Sequence, residues 1–434
     1  MESRKRLQVT QRKNPLDILF HDYGGYGFTA QLARHLARKG VSTAYFSFGG
    51  FGSPKGRVGR TATDPACFAI DEINISEPVN KDNLIKRYRQ QIEYGRTAAA
   101  RVIAERPKIV VSSNCPLEVQ SHLLAACRKI DAKFVFWLQD LHSEAIGRIL
   151  GRRVPLLGSA ATRYYSWMEG RLLADSDAVI VITDGFTDLI KSWGVDTRHF
   201  TTIENWAPIG DMPLYQRDND VANRHFRPGR PRILYSGTLA RKHNPDILLN
   251  LARNVDADIH LYSMGSAAEY VRGVAAEEGL GNMFVRPWVS VEDLPKVLAG
   301  ADILCGFIEK DAGRFSVPSK ILSYLAAGRP ILASMPAENL ASRTIVRAGA
   351  GLVSDPGNPT ELVDNAARLL SDPEEGRIMG QRGRDYAERT FDIDVIARRF
   401  QACFASMEEA RPRKHTMLPR WRPIEQQWPF GGKE

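Results

Sequence analysis

Apolar positions along this chain follow two alternating rhythms. Leu16–His21 is a short, mostly apolar run that predicts a strand, and Gly24, Gly25 and Gly27 follow it as a tight loop. Phe28, Leu32 and Leu36 then recur every fourth residue with Ala33 and Ala37 beside them, the spacing of a buried helix face. Gly40 stops that helix, and Val41–Phe48 reads as the next strand, completing one βαβ unit. Ile109–Ser113, Phe134–Leu138 and Ala178–Thr183 are further strand-like runs separated by helical stretches, the alternation of a parallel sheet covered by helices.

The rhythm breaks at Asn205–Arg230, rich in Asp and Asn and carrying Pro208, Pro213 and Pro228, and then restarts. Arg232–Ser236, Ile259–Ser263, Met283–Val285, Ile303–Gly306, Pro330–Ser334 and Gly351–Val353 predict a second set of strands, and the chain after Asp355 reads as helical to about Met407. The expected architecture is α/β: two doubly wound, Rossmann-like domains facing across a cleft lined by strand C-termini, where ligands bind in such folds. The boundaries expected are 1–205 for an N-terminal domain, 206–230 for a linker, and 231–390 for a C-terminal domain. Residues 391–434 form a helix and tail, with Trp421, Trp428 and Phe430, expected to return to the first domain.

Composition narrows the class. The 434 residues are 43% hydrophobic and 25% charged, near the globular average, which excludes collagen-like, disulfide-rich and wholly disordered chains. No apolar run reaches the ~20 residues that span a bilayer, and the Met-Glu-Ser-Arg-Lys-Arg start does not resemble a secretory signal. Five scattered cysteines without a C-x-x-C pair suit a reduced, cytoplasmic protein with no thiol-bound zinc. The charge is uneven: residues 1–207 hold 29 Lys and Arg against 21 Asp and Glu, +8 of the total +9. A nucleic acid, an anionic lipid surface, a phosphorylated substrate or simply a solvated basic face accounts for such an excess. No interleaved aromatic motif or recognition helix accompanies it, so nucleic acid ranks last.

Four local patterns carry candidate chemistry. Gly313–Ala333 places Pro318 and Ser316 at a helix start, predicts a helix of about ten residues ended by Gly328, and offers backbone N–H groups near Ser316–Ser319 to a diphosphate. Tyr235–Pro245 follows a strand with Gly237 at the bend, and Arg241 and Lys242 project as two fixed cations suited to a departing diphosphate. His21–Gly27 holds Gly24 and Gly25 but lacks the G-x-G-x-x-G spacing of dinucleotide binders. Trp137–Glu144 gathers Gln139, Asp140, His142 and Glu144 at a strand end, where Asp140 or His142 could bind a sugar hydroxyl or take a proton. Four D-x-D triplets are scattered as chance would place them, so no metal is assigned.

Together these patterns resemble the retaining glycosyltransferases of family 4, of GT-B fold, and among them the bacterial enzymes of colanic-acid and related exopolysaccharide synthesis. The resemblance spans about Leu16 to Phe404 and rests on Gly237, Arg241 and Lys242, on Ser316–Lys320, and on Gly24 and Gly25. Most of that family carries two glutamates eight positions apart; here Phe315 and Ser323 stand there, with Glu309 nearby as a substitute for the first.

The resemblance implies transfer of a sugar from a nucleoside diphosphate sugar, a UDP-sugar by family tendency, with retention and without metal or other cofactor. It implies Arg241, Lys242, Asp140 and His142 as catalytic, and Gly24, Gly25, Gly237, Gly265, Val289, Glu309, Ser316, Val317, Lys320 and Ser323 as substrate-binding. The implied acceptor is a lipid-linked saccharide at the inner face of the plasma membrane, with Arg148, Arg152 and Arg153 beside Leu150 and Leu156–Leu157 suited to anionic headgroups. A UDP-sugar epimerase of the same build, or a non-catalytic nucleotide-sugar-binding scaffold, is the alternative.

Overall fold

In a computed structural model of the chain, the residues described are 15–50, 58–79, 83–144, 146, 155–239, 243–313 and 316–409. Two all-parallel sheets organise them. The first has seven strands: β1 (Ile18–Asp22), β2 (Thr43–Phe48), β3 (Phe68–Ile73), β4 (Ile109–Ser113), β5 (Lys133–Leu138), β6 (Ala178–Val181) and β7 (Phe200–Thr202), in the order β3-β2-β1-β4-β5-β6-β7. The second has six: β8 (Arg232–Ser236), β9 (Asp258–Tyr262), β10 (Met283–Arg286), β11 (Ile303–Phe307), β12 (Ile331–Ser334) and β13 (Gly351–Ser354), in the order β10-β9-β8-β11-β12-β13. Each order reverses direction once, between β1 and β4 and between β8 and β11, and the crevices at these switch points are where such sheets bind ligands.

The central strands are buried along their whole length, as β1, β2 and β8 are, because helices cover both faces and leave no polar side to alternate with. Helices α1 (Gly27–Arg38), α2 (Leu84–Glu105), α3 (Leu117–Ile130), α4 (Pro155–Asp175) and α5 (Asp184–Ser192) belong to the first sheet. The short α6 (Ala222–His225) lies in the proline-rich connection. Helices α7 (Asp246–Asn254), α8 (Ser266–Glu277), α9 (Leu294–Ala299), α10 (Lys320–Ala327), α11 (Leu340–Ala348), α12 (Pro359–Ser371) and α13 (Pro373–Thr390) surround the second sheet.

The last helix, α14 (Ile393–Glu409), crosses back to the first half. Phe400 stands edge-on to Trp137 of β5 at 5.0 Å, Asp394 pairs with His35 of α1 at 3.1 Å, and Arg399 donates to the carbonyl of Thr202 at 2.7 Å. One buried cluster runs through both faces of the first sheet, α14 and the connection into α10 and α13; a second lies between the other face of the second sheet and α7, α8 and α12. Among the described residues no helix is long and apolar enough to cross a membrane. The tail residues Trp421, Trp428 and Phe430 lie outside the described residues.

Two features depart from the expected pattern. Strands β3 and β7 do not stand out in the sequence: both are sheet edges, where Asp71 and Glu72 of β3 face solvent and β7 is three residues long. Helix α10 begins at Lys320, later than expected, with Ser319 as its N-cap residue and no side-chain cap. Pro318 makes the turn before the helix, its carbonyl accepting from Ile321 at 3.2 Å, and Ser316 is buried with its carbonyl bonded to Asn339 Nδ2 at 3.0 Å.

Candidate active site

The C-terminal ends of the two sheets face one another across a small pocket. Ile182, Glu204 and Asn205 line it from the first half, and Val317, Pro318, Ser319 and Leu322 are among its residues from the second. Arg343 of α11 reaches Thr183 Oγ1 at 3.4 Å and Arg347 approaches Glu204 at 3.9 Å, so the same face carries polar contacts between the halves.

On the first side the glycine loop is built around Asp22, which sequence reasoning passed over. Its carboxylate is fully buried and accepts from Gly25 N at 3.0 Å, Tyr26 N at 3.1 Å, Thr29 Oγ1 at 2.8 Å and Asn114 Nδ2 at 3.1 Å. Burial pushes its pKa up to about 6, against the pull of those four donors. Gly25 takes a positive φ of 74°, and Gly24 has no room for a Cβ because the Tyr26 ring lies across it. The preceding His21 is buried between Ser112 Oγ and Tyr94 Oη, each at 2.9 Å, and desolvation holds it neutral, its pKa lowered to about 3. The only sequence signal for Asp22 is its place: a carboxylate at the end of a buried strand, immediately before a glycine-containing turn.

The loop after β5 carries Asp140 and His142. Gln139 and Asn205 exchange amide bonds at 3.1 and 2.5 Å, tying this loop to a pocket residue. Asp140 is partly exposed and has no protein partner among the described residues. His142 is partly buried; its backbone N–H donates to Glu169 Oε1 at 3.1 Å, and its Nδ1 is buried without a partner among the described residues. Glu169, wholly buried on α4, also accepts from Ser143 N at 3.1 Å and Ser143 Oγ at 2.5 Å. It therefore caps the turn that begins at His142, although burial raises its pKa.

On the second side Gly237 has φ +122°, a conformation closed to L side chains, and its N–H donates to the carbonyl of Tyr262 at 3.0 Å. Neutral hydroxyls hold this turn. Tyr324 Oη accepts from Ser236 N at 2.9 Å and contacts Ser236 O at 3.2 Å, Ser263 Oγ accepts from Leu239 N at 3.1 Å, and Tyr235 Oη donates to Thr238 O at 3.0 Å. The ammonium of Lys320 lies 3.3 Å from the Tyr235 ring centroid, and its Cε would lie 3.5 Å from a Cβ at Gly237. Asn339 pins the other loop, donating to Gly313 O at 2.8 Å and Ser316 O at 3.0 Å.

Val317 lines the pocket and Ser316 is buried beside it; Ser323 is partly exposed on α10. Glu309 keeps one carboxylate oxygen buried without a partner among the described residues. Gly265, at φ +100°, opens α8, and Val289 packs on the core after β10; Arg286 turns toward the connection, bonding His225 O and Tyr262 Oη. Arg241, Lys242, Phe315, Arg148, Leu150, Arg152 and Arg153 lie outside the described residues, as do the side chains of Leu156 and Leu157. Among the described residues no three His, Cys, Asp or Glu side chains gather to hold a metal ion.

Two family models match this arrangement. Residues 24–206 match a glycosyl transferase 4-like domain and residues 230–372 match glycosyl transferases group 1. The chain belongs to the group 1, 4-like glycosyltransferases. It is similar to the probable glycosyltransferase WbjE of Pseudomonas aeruginosa, 23% identical over 350 residues, 79% of this chain and 84% of that one. It is also similar to the putative colanic acid biosynthesis glycosyl transferase WcaI of Escherichia coli K12, 24% identical over 62% of this chain and 67% of that one. Among solved structures, sucrose-phosphate synthase from Thermosynechococcus elongatus superposes with a TM-score of 0.70 at 16% identity, covering 91% of this chain and all of that one. Anabaena HepE in complex with UDP-glucose superposes at 0.64 and 13% identity, covering 90% of this chain and all of that one. The fold of this glycosyltransferase is GT-B, two Rossmann-like sheets with their strand ends opposed.

Proposed function

We propose that this glycosyltransferase moves a sugar from a nucleoside diphosphate sugar, a UDP-sugar, to a lipid-linked saccharide acceptor in cell-surface polysaccharide synthesis, with retention at the anomeric carbon. The observation that carries the donor side is the Gly237 turn: a backbone bend open to close approach, held by hydroxyls and neighboured by the Lys320 ammonium. HepE, of similar fold, binds UDP and UDP-glucose, which supports the choice of base. The names of WbjE and WcaI support the polysaccharide setting.

In this reading the glycosidic C–O bond to the diphosphate breaks through an oxocarbenium-like state, and the acceptor oxygen attacks on the same face. The departing diphosphate takes the acceptor's proton. Arg241, Lys242, Lys320 and the amides near Ser316–Val317 stabilise the charge that builds on it, the role a metal ion fills elsewhere. Asp140 and His142 lie on the acceptor side. Glu309, one of whose carboxylate oxygens is buried without a partner among the described residues, accepts from a donor-sugar hydroxyl in this reading, in place of the glutamate that Phe315 replaces. The basic first half meets the anionic membrane that carries the acceptor, which sedimentation with anionic vesicles at low salt tests.

Calorimetric titration with UDP, GDP, ADP and dTDP in EDTA tests the donor site. Saturable binding of UDP alone is expected, and its loss in Arg241→Ala/Lys242→Ala. Binding that requires added divalent metal, or survives the double substitution, contradicts the assignment.

A further inference from the structure

The flank of the first half holds a second cavity, apart from the pocket between the sheets. It lies among three helices: Ile92 and Arg96 of α2, Glu118, Ser121, His122 and Ala125 of α3, and Met168 of α4 line it. Its volume is about 370 Å³, far more than one or two bridging waters fill at about 30 Å³ each. Gly95 brings α2 against α3, since a Cβ there would meet the His122 ring at 3.2 Å, and His122 Nδ1 donates to the Glu118 carbonyl at 2.8 Å. Helix α4 is tied across by Tyr165, whose hydroxyl donates to Glu118 Oε1 at 3.1 Å. Glu118 is only 7% exposed. An ionised carboxylate offers about four acceptor positions, so this bond leaves it capacity for further hydroxyl donors. Arg96 and Ser121 have no side-chain hydrogen-bond or ion-pair partner among the described residues. Ile92 is buried yet joins neither buried cluster, so its apolar surface is turned to the cavity. Glu118 stands in the first turn of α3, just beyond the C-terminal end of β4, and Glu169, one turn along α4 from Tyr165, caps the turn at His142. The cavity therefore starts at the cleft end of the first half, on the side of the His142 loop.

We propose that this cavity is a saccharide subsite: it takes an uncharged sugar of the acceptor, removed from the one that is attacked, whose hydroxyls donate to Glu118 and accept from Arg96 and Ser121 while its C–H surface rests on Ile92 and Met168. The inference rests on the glycosyl-transfer reading and deepens it on the acceptor side. A sugar fits because each hydroxyl both donates and accepts, which matches a carboxylate that only accepts beside a guanidinium that only donates. A diphosphate does not fit, because the buried Glu118 carboxylate repels it. A lipid chain does not fit either, because it would cover Arg96, Glu118 and Ser121 without giving them partners.

Saturation-transfer NMR on the full chain, with the methyl glycosides of glucose, galactose, mannose, rhamnose and N-acetylglucosamine as probes, tests the subsite. Wild type is compared with Arg96→Ala, Glu118→Gln and Ala125→Trp, the last filling the cavity from an exposed position, and UDP is titrated calorimetrically into each. Saturable transfer to at least one glycoside is expected from wild type. Its dissociation constant should rise about tenfold in Arg96→Ala and in Glu118→Gln. Transfer should vanish in Ala125→Trp, and the UDP affinity should be the same in all four proteins. Transfer that is absent from wild type for every glycoside, or undiminished in Ala125→Trp, overturns the subsite. So does a loss confined to Glu118→Gln, because that change alone can act by releasing Tyr165 and loosening α4, whereas Arg96 and Ala125 are exposed. A wild type that binds UDP but no glycoside overturns the subsite and spares the donor reading. One that binds glycosides in the expected pattern but no UDP counts against the donor reading alone.

Discussion

The loops after β1 and after β8 occupy the same place in two sheets of the same kind, yet they are held by opposite means. Asp22, a buried carboxylate taking four donors, organises the first; hydroxyls of Tyr324, Ser263 and Tyr235, with a lysine ammonium against the ring of Tyr235, organise the second. The shared topology supplies a crevice and a sharp turn at each switch point. The side chains beneath differ in charge: a buried carboxylate holds the first turn, while hydroxyls and a lysine ammonium stand at the second. A doubly wound half is thus a neutral frame whose polarity is set by two or three buried groups at the strand ends.

The largest effect expected comes from breaking the negative floor. Asp22→Ala leaves Tyr26 N and Thr29 Oγ1 without their acceptor, and takes one of two acceptors from Gly25 N and from Asn114 Nδ2, which keep Asp22 O and Ser113 Oγ. Since one buried unsatisfied donor costs roughly 1–3 kcal/mol, a loss of about 3 kcal/mol is expected in urea unfolding. A change below a few tenths would mean that water replaces the carboxylate and that the loop does not depend on it. On the other floor, Tyr324→Phe removes the acceptor of Ser236 N–H and should cost about 1–2 kcal/mol. It should also weaken UDP in calorimetry. An unchanged UDP affinity would show that this turn does not hold the nucleotide.

A finer test uses pH. The folded pKa of Asp22 is raised from 3.8 to about 6, so between these values the folded state holds more protons than the unfolded one, and this group's contribution to stability falls as pH rises through that window. His21 is lowered from 6.5 to about 3, so there the unfolded state holds more protons, and its contribution rises over the same range. The two neighbours oppose one another. Stability measured from pH 4 to 6.5 should therefore show the difference between wild type and Asp22→Asn shrinking with pH, and that between wild type and His21→Gln growing. Flat differences for both would mean that neither group keeps its burial in solution.

The frame itself was readable because doubly covered strands are unbroken apolar runs: Leu19, Phe20, Val110 and Val111 can stand nowhere but inside. Strands β3 and β7 were not, since Asp71 and Glu72 interrupt the apolar run of β3 and β7 is only three residues, Phe-Thr-Thr. Gly237, Asp140 and His142 were singled out by their place after strands, and Lys320 by the family resemblance; the structure puts the first three just beyond β8 and β5 and Lys320 at the start of α10. Asp22, Tyr324 and Asn339 escaped notice because their importance lies in bonds to distant backbone, and a lone Asp, Tyr or Asn gives no spacing by which to find it. The start of α10 moved for a related reason: Pro318 and Ser316 suit a helix N-terminus, but Asn339, far along the chain, holds that stretch as a loop.

The return of α14 to the first half means that the polypeptide passes between the halves twice, once beyond Ala207 and again near Asp392. A protease cut in the exposed Leu214–Tyr215 stretch would not release two separate fragments, because Phe400 stays wedged against Trp137 and Trp206. Two tethers also define a line, and rotation about that line is the relative movement that strains neither crossing. The chain's own path thereby selects a hinge axis for opening and closing the cleft.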